Sequence, residues 1–328
     1  MRLTPDQLKS KQTAIAYFGG DPQGKNFAAG PAQAIGLAQV AGPVSEGRIL
    51  GVGIGARVSR LGLTGDSVVR VYVTTKNGLQ IPDKFSNLPS QIIEVGDVSA
   101  NATPTGNRFA KNRPTSCGVS VGHPLVTAGT LGCLVKDDSG TLCILSNNHV
   151  LANCNAASIN DPIIQPATLD GGVAGTDSIG FLKKFQPINF SAGAANDIDA
   201  ALAEIFIPIP ITPDIIDIGN PGKTLKNATI YQSVRKHGRT TGHTVGVIVD
   251  ISVSLWVSYG TQKAWFQDQI AIQGIGSSPF SSGGDSGSLI VDAVGLEPVG
   301  LLFSGSTSGL TFANPIDKVL TGLNAVFY

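Results

Sequence analysis

The chain has 328 residues, 42% of them apolar and 14% charged, enough to bury a sizeable core and more than one typical domain needs. Its 23 basic and 23 acidic residues cancel, so neither a basic footprint for nucleic acid nor an acidic tail for a cationic partner is present. With 41 glycines, 19 prolines and one methionine, the composition favours a β-rich, turn-dense fold over a helical bundle.

The opening stretch MRLTPDQLKSKQTAIAYFGG has neither the continuous apolar core nor the cleavage pattern of a signal peptide. It reads as a helix with Thr4 as N-cap, Pro5 at the first helical position and Gln7 completing a capping box. Residues 1–45 are expected to be helical and then irregular. Residues 46–100, with the Val- and Ile-rich runs ILGVGIGARV, SVVRVYVTT and SQIIEVGDV, read as a small α+β domain. GVGIG at 51–55 lacks the spacing of a dinucleotide-binding turn and no helix follows it, so strand glycines are the better reading.

Residues 101–116, polar and proline-bearing, read as a linker. From 117 to 328 short strands recur between turns, and a proline-rich break at about 207–226 divides them into two comparable halves. The most apolar later segment, IFIPIPITPDII, carries three prolines and an aspartate and is unsuited to crossing a bilayer. Without a leader the expected location is cytoplasmic, with no membrane partner. Cys117, Cys133, Cys143 and Cys154 show no CxxC spacing, which argues against a zinc site and for reduced thiols.

SSGGDSGSLIV, residues 281–291, offers a serine in a glycine-rich turn before a strand. A serine hydroxyl must lose its proton to attack, a histidine is the usual acceptor, and a carboxylate orients it. Four histidines are available: His123, His149, His237 and His243. His149 follows an apolar strand in CILSNNHVLAN, where a rigid element could hold an imidazole. NDIDAALAEIF supplies the carboxylate, but Asp197 and Asp199 are two apart and share a strand face, so alternation does not choose between them.

In this order the motifs resemble those of the trypsin/chymotrypsin-like serine proteases, in particular the bacterial trypsin-like group related to the plant narrow-leaf proteins. LSNNHV resembles their histidine motif and DAALAEI their aspartate strand, which favours Asp199. GGDSGSLIV resembles the nucleophile turn, with Ser288 in place of its second glycine. VRKHGRTTGHTVGVI is similar to a loop of the bacterial enzymes, which often carry a short domain ahead of the protease. The resemblance implies a mainly β, two-barrel chymotrypsin-like fold after a small α+β unit, and a serine endopeptidase acting on proteins or peptides. It assigns catalysis to His149, Asp199 and Ser286, and the oxyanion hole to the amides of Gly284 and Ser286. Asp285 would brace the turn through Arg235, without zymogen N-terminal activation. Phe280 would floor a shallow or apolar specificity pocket walled by Phe303, Ser304 and Gly305, taking small or medium hydrophobic side chains.

No metal cluster or phosphate loop suggests a cofactor. Gating the cleft, recruiting substrate and building a homo-oligomer are all open roles for the N-terminal unit. Competing readings are a catalytically silent scaffold that binds a protein partner, and an esterase. An intact His149, Asp199 and Ser286 argues against the first. The His…Asp…Ser order, the reverse of the α/β-hydrolases, argues against the second.

Overall fold

Helix α1 (Pro5–Tyr17) begins where the capping signal places it. Gln7 N–H donates to Thr4 Oγ1 at 3.2 Å, and Thr4 N–H to Gln7 Oε1 at 2.9 Å. The computed structural model describes residues 3–18, 49–59, 62–76, 79–95, 98–99, 107–206, 210–275 and 279–328. Residues 101–106 of the linker and all of residues 19–48 therefore lie outside the described residues. Strands β1 (Ile49–Ser59), β2 (Gly62–Val73), β3 (Lys84–Phe85), β4 (Leu88–Glu94) and β5 (Val98–Ser99) follow. Ala14, Ile15 and Phe18 of the helical segment pack on Val52, Ile54, Val69 and Val71 of the first two strands.

The first half of the region beyond the linker contributes β6 (Thr115–Cys117), β7 (Ser120–Val121), β8 (Gly129–Thr130), β9 (Cys133–Asp137), β10 (Leu142–Ser146), the short helix α2 (Asn148–Leu151), β11 (Pro162–Ile164), β12 (Ser178–Phe185), β13 (Ala195–Asn196) and β14 (Ala201–Ile205). Strand β15 (Ile211–Ile215) lies in the connection between the halves. The second half holds β16 (Ser233–Gly238), β17 (Gly242–Tyr259), β18 (Gln262–Gly274), β19 (Leu289–Asp292), β20 (Pro298–Ser306), β21 (Leu310–Pro315), α3 (Ile316–Leu323) and β22 (Ala325–Phe327).

Two large sheets hold most of these strands, while β6 pairs with β15 and β7 with β8 in two-stranded sheets. A 6-stranded sheet in the order β11-β12-β14-β10-β9-β22 encloses the first core, so the last strand of the chain closes on the first half. In the second half β18, β21, β20, β19, β16 and β17 pair in sequence, and β17 returns to β18 to complete a closed barrel. Closure leaves no free edge within that ring.

The N-terminal strands continue this second sheet: β1 pairs antiparallel with β17, placing Gly51 opposite Leu255. The 18 residues of β17 exceed what the barrel uses. Val249, Val253, Leu255 and Val257 of this strand are buried in one hydrophobic cluster, and Ile251, just ahead of Ser252 at φ 61°, is buried in another. Buried polar groups fasten the junction. Tyr72 donates to Asp250 Oδ2 at 2.5 Å, and Lys11 Nζ reaches Ser252 at 2.7 Å and Asp268 at 3.0 Å. Burial lifts the Asp250 carboxyl to about 6. The GVGIG glycines serve the same contact: a Cβ on Gly53 would stand 2.6 Å from Asp250 Oδ2. They lie in a strand, as read from the sequence, and the structure adds their packing role.

Candidate active site

The apolar strand β10 ends at Ser146, and the single turn α2 then presents His149. Asp199, fully buried just ahead of β14, meets the imidazole with Oδ2 2.5 Å from His149 Nδ1. An ionised carboxylate only accepts, so Nδ1 carries the proton and Nε2 is left as the acceptor. Asp199 Oδ1 accepts the His149 backbone N–H at 3.2 Å. Asn147 Nδ2 donates to the Asp199 carbonyl at 2.7 Å, and the Asp199 N–H donates to Asn314 Oδ1 at 3.0 Å. Both halves of the fold thus hold the aspartate.

Asp197 takes no part in this. Its exposed carboxylate faces Gln267 and Lys318. The remaining histidines have other partners or positions: His123 meets Asp161, His237 meets the Gly118 carbonyl, and His243 is exposed. Burial depresses His237 to about 4.

Ser286 sits in the turn before β19, and its backbone carbonyl accepts the Thr130 N–H at 2.8 Å. Gly284 and Gly287 on either side have φ of 90° and 94°, a region open to glycine and strained for other residues. Among the described residues neither the Gly284 nor the Ser286 amide donates to a protein acceptor. Ser286 Oγ donates to the Phe303 carbonyl at 3.4 Å, and no hydrogen bond joins it to His149 among the described residues. Ring contacts connect the two sides: His149 to Tyr259, Tyr259 to Phe266, and Phe266 to Phe303 at 4.9 Å.

Asp285 has a partner other than the expected Arg235. Lys236 Nζ lies 3.5 Å from Asp285 Oδ2, with both side chains fully buried. Consecutive strand residues face opposite ways. On β16 this turns Lys236 inward and leaves Arg235 half-buried, its Nε without a partner among the described residues. Asp285 also accepts from Thr240 N–H at 2.7 Å, Thr241 N–H at 3.1 Å, Thr241 Oγ1 at 2.7 Å and Ser282 N–H at 2.9 Å. Beside the turn, fully buried Arg239 binds Asp170 through Nε at 2.7 Å and Nη2 at 2.5 Å.

The specificity pocket departs from expectation. Phe280 and Phe303 are fully buried in separate hydrophobic clusters and do not line it. Next to Ser286 is a cavity of about 170 Å³ bounded by Ser281, Ser282, Ser304, Gly305, Ser306 and Thr307, among others. Ser304 and Gly305 are therefore wall residues, but the lining is hydroxyl-rich, not apolar. The Ser304 Oγ is buried without a partner among the described residues. Along the rim, β5 pairs antiparallel with β20, Ser99 opposite Gly305 and Val98 opposite Ser306.

Sequence reasoning missed Lys236, Tyr259 and Thr130. Lys236 stood next to the residue chosen, and strand alternation was the available signal. Tyr259, 60 positions from Asp199, had none. All four cysteines are free, and burial pushes the Cys154 thiol up to about 12. Among the described residues no group of three or more His, Cys, Asp or Glu side chains is placed to hold a metal ion, and no helix is long and apolar enough to cross a membrane.

The chain is a mainly β protein whose two halves meet at the His149–Asp199 pair, held by Asn314, and at the Ser286 turn, held by Thr130. Among curated proteins, the chain is similar to NARROW LEAF 1 of Oryza sativa subsp. japonica, 24% identical over 305 residues. That match covers 79% of this chain and 51% of the rice protein, so the chain spans about half the length of this relative. Similar solved structures include Thermobifida fusca Protease A, at 17% identity and TM-score 0.45, covering 65% of this chain and 98% of that one. Nocardiopsis protease follows at 18% identity and TM-score 0.44, covering 64% and 96% respectively. The MamO protease domain of Magnetospirillum magneticum has 12% identity and TM-score 0.36, covering 62% and 95%. No family model matches the chain.

Proposed function

We propose that this chain is a serine endopeptidase that hydrolyses peptide bonds through an acyl-enzyme. The observation that carries the reading is the 2.5 Å contact of His149 Nδ1 with buried Asp199, which leaves Nε2 free to act as a base. Ser286 Oγ leaves the Phe303 carbonyl, gives its proton to His149 Nε2 and attacks the scissile carbonyl. The imidazolium then protonates the leaving amine, and water repeats the sequence to free the acid. Asp199 stays ionised and fixes the tautomer. The amides of Gly284 and Ser286 receive the developing oxyanion, a role in which one donor is worth about 10²–10³ in turnover.

Lys236 and the amides of Thr240 and Thr241 already satisfy Asp285, which supports a turn that needs no freed N-terminal amine to order it. Among the described residues the small hydroxyl-lined pocket carries no charged lining residue, which suits a small uncharged side chain and disfavours Lys or Arg. A peptide laid along Gly305 and Ser306 competes with β5 of the chain itself. A small fluorophosphonate needs only Ser286, its base His149 and the oxyanion donors, with no peptide subsite, so it is the direct test. Labelling of the intact protein that vanishes in Ser286→Ala and in His149→Ala is expected. A folded protein that never labels would favour a silent scaffold.

A further inference from the structure

We infer that Tyr259 is a positioning residue for the Asp199–His149 pair, delivered to the site by the β17–β18 hairpin that the N-terminal strands brace. The inference rests on the proposed reading of His149, Asp199 and Ser286, and deepens it.

Tyr259 is the last residue of β17, one position before Gly260 (φ 63°) in the turn to β18. Its hydroxyl donates to Asp199 Oδ2 at 2.8 Å, the same oxygen that meets His149 Nδ1 at 2.5 Å. Burial first, and the Asp199 charge second, hold the phenol well above its ordinary range, so it remains a donor. Its ring stands edge-on to His149 at 5.7 Å and to Phe190 at 5.8 Å. One side chain therefore fixes the carboxylate through a hydrogen bond and confines the imidazole by contact. In a buried network each donor polarises the next, and the acceptor capacity of a shared oxygen is divided between them.

The hairpin that carries Tyr259 is not supported by the barrel alone. β1 pairs along β17 from Asp250 to Leu255, and β5 pairs with Ser258, the residue before Tyr259. The same β5 residue, Ser99, pairs with Gly305 at the rim of the pocket. The N-terminal unit is thereby tied to the geometry of the aspartate as well as to the substrate edge. This gives it a part in the reaction that its own residues, lacking nucleophile and base, do not otherwise have.

The test compares the full-length protein with Tyr259→Phe, which keeps the ring and removes the hydroxyl. Two readouts are taken: steady-state hydrolysis of a peptide substrate, and the ¹H resonance of His149 Nδ1–H in protein labelled with ¹⁵N-histidine. Loss of a hydrogen bond to a charged acceptor predicts a fall in kcat on the order of tenfold with KM unchanged. With the phenol gone, Oδ2 becomes a stronger acceptor for Nδ1–H, and the proton resonance moves downfield. Tyr259→Leu, which also loses the ring contact, should lower kcat further, so that Phe is a partial rescue. Identical resonances in wild type and Tyr259→Phe overturn the inference, as does a shifted resonance with unaltered kcat. A wild type inert to both peptide and phosphonate instead overturns the reading of Ser286. The resonance comparison still decides whether Tyr259 acts on Asp199.

Discussion

Replacing Lys236 by Met tests which cation holds the Ser286 turn. Methionine keeps the stem that packs near Phe280, whose ring lies 5.7 Å from the ammonium, and removes the charge. Lys236 and Asp285 are both fully buried. Breaking such a pair by deleting one partner costs about 3–5 kcal/mol, because the other charge stays desolvated. Here Asp285 keeps four donors, from Thr240, Thr241 and Ser282, which moves the cost to the low end. The Gly242 carbonyl, 3.0 Å from Nζ, loses a donor as well. The net expectation is about 3 kcal/mol, read by urea denaturation at pH 7, with a parallel loss of phosphonate labelling as Gly284 and Ser286 lose their setting. Arg235→Met, one residue away on the other strand face, should cost no more than about 0.5–1 kcal/mol and keep labelling. The reasoning fails if Arg235→Met is the more damaging of the two.

Acid should weaken the fold through His237. Its folded value is about 4 against an ordinary 6.5, so the unfolded chain binds more protons between those values. Its contribution is complete above about pH 6.5 and is lost as pH falls toward 4, amounting to no more than about 3 kcal/mol. Urea midpoints measured from pH 7 to 4 should fall less steeply in His237→Gln; an unchanged slope would reject this assignment. Gly284→Ala forces φ of 90° on a residue with a Cβ, which would sit 2.5 Å from Thr240 Oγ1 and 2.8 Å from Arg239 Nη1. The displaced amide should slow labelling about 10²-fold or more in a protein that still unfolds cooperatively. Wild-type labelling rates in this variant would remove Gly284 from the oxyanion hole.

Local chemistry explains which features could be read early. The α1 cap depends on Thr4 and Gln7, three positions apart, and the strand runs are marked by local Val and Ile content. Motif order singled out His149, Asp199 and Ser286, and the structure brings the first two into contact. The expected specificity floor failed for a geometric reason. Phe280 is apolar enough for a pocket wall, but its side chain points into the barrel core with Ile248, Ile272 and Ile290. Hydrophobicity does not reveal which of two apolar spaces a ring will fill.

The sequence by itself determined the β-rich class, the N-terminal helix, the strand placement of the GVGIG glycines and the residues to search for a nucleophile, its base and its acid. Each depends on residue type, on spacing within a few positions, or on motifs in a fixed order. Tertiary structure alone decided that the N-terminal strands extend the second sheet, that Lys236 and not Arg235 meets Asp285, that the pocket is lined with hydroxyls, and that Tyr259 shares Asp199 with His149. These are contacts between residues tens to hundreds of positions apart. They arise only when strand register sets which face each side chain takes, and a shift of one residue reverses every such choice.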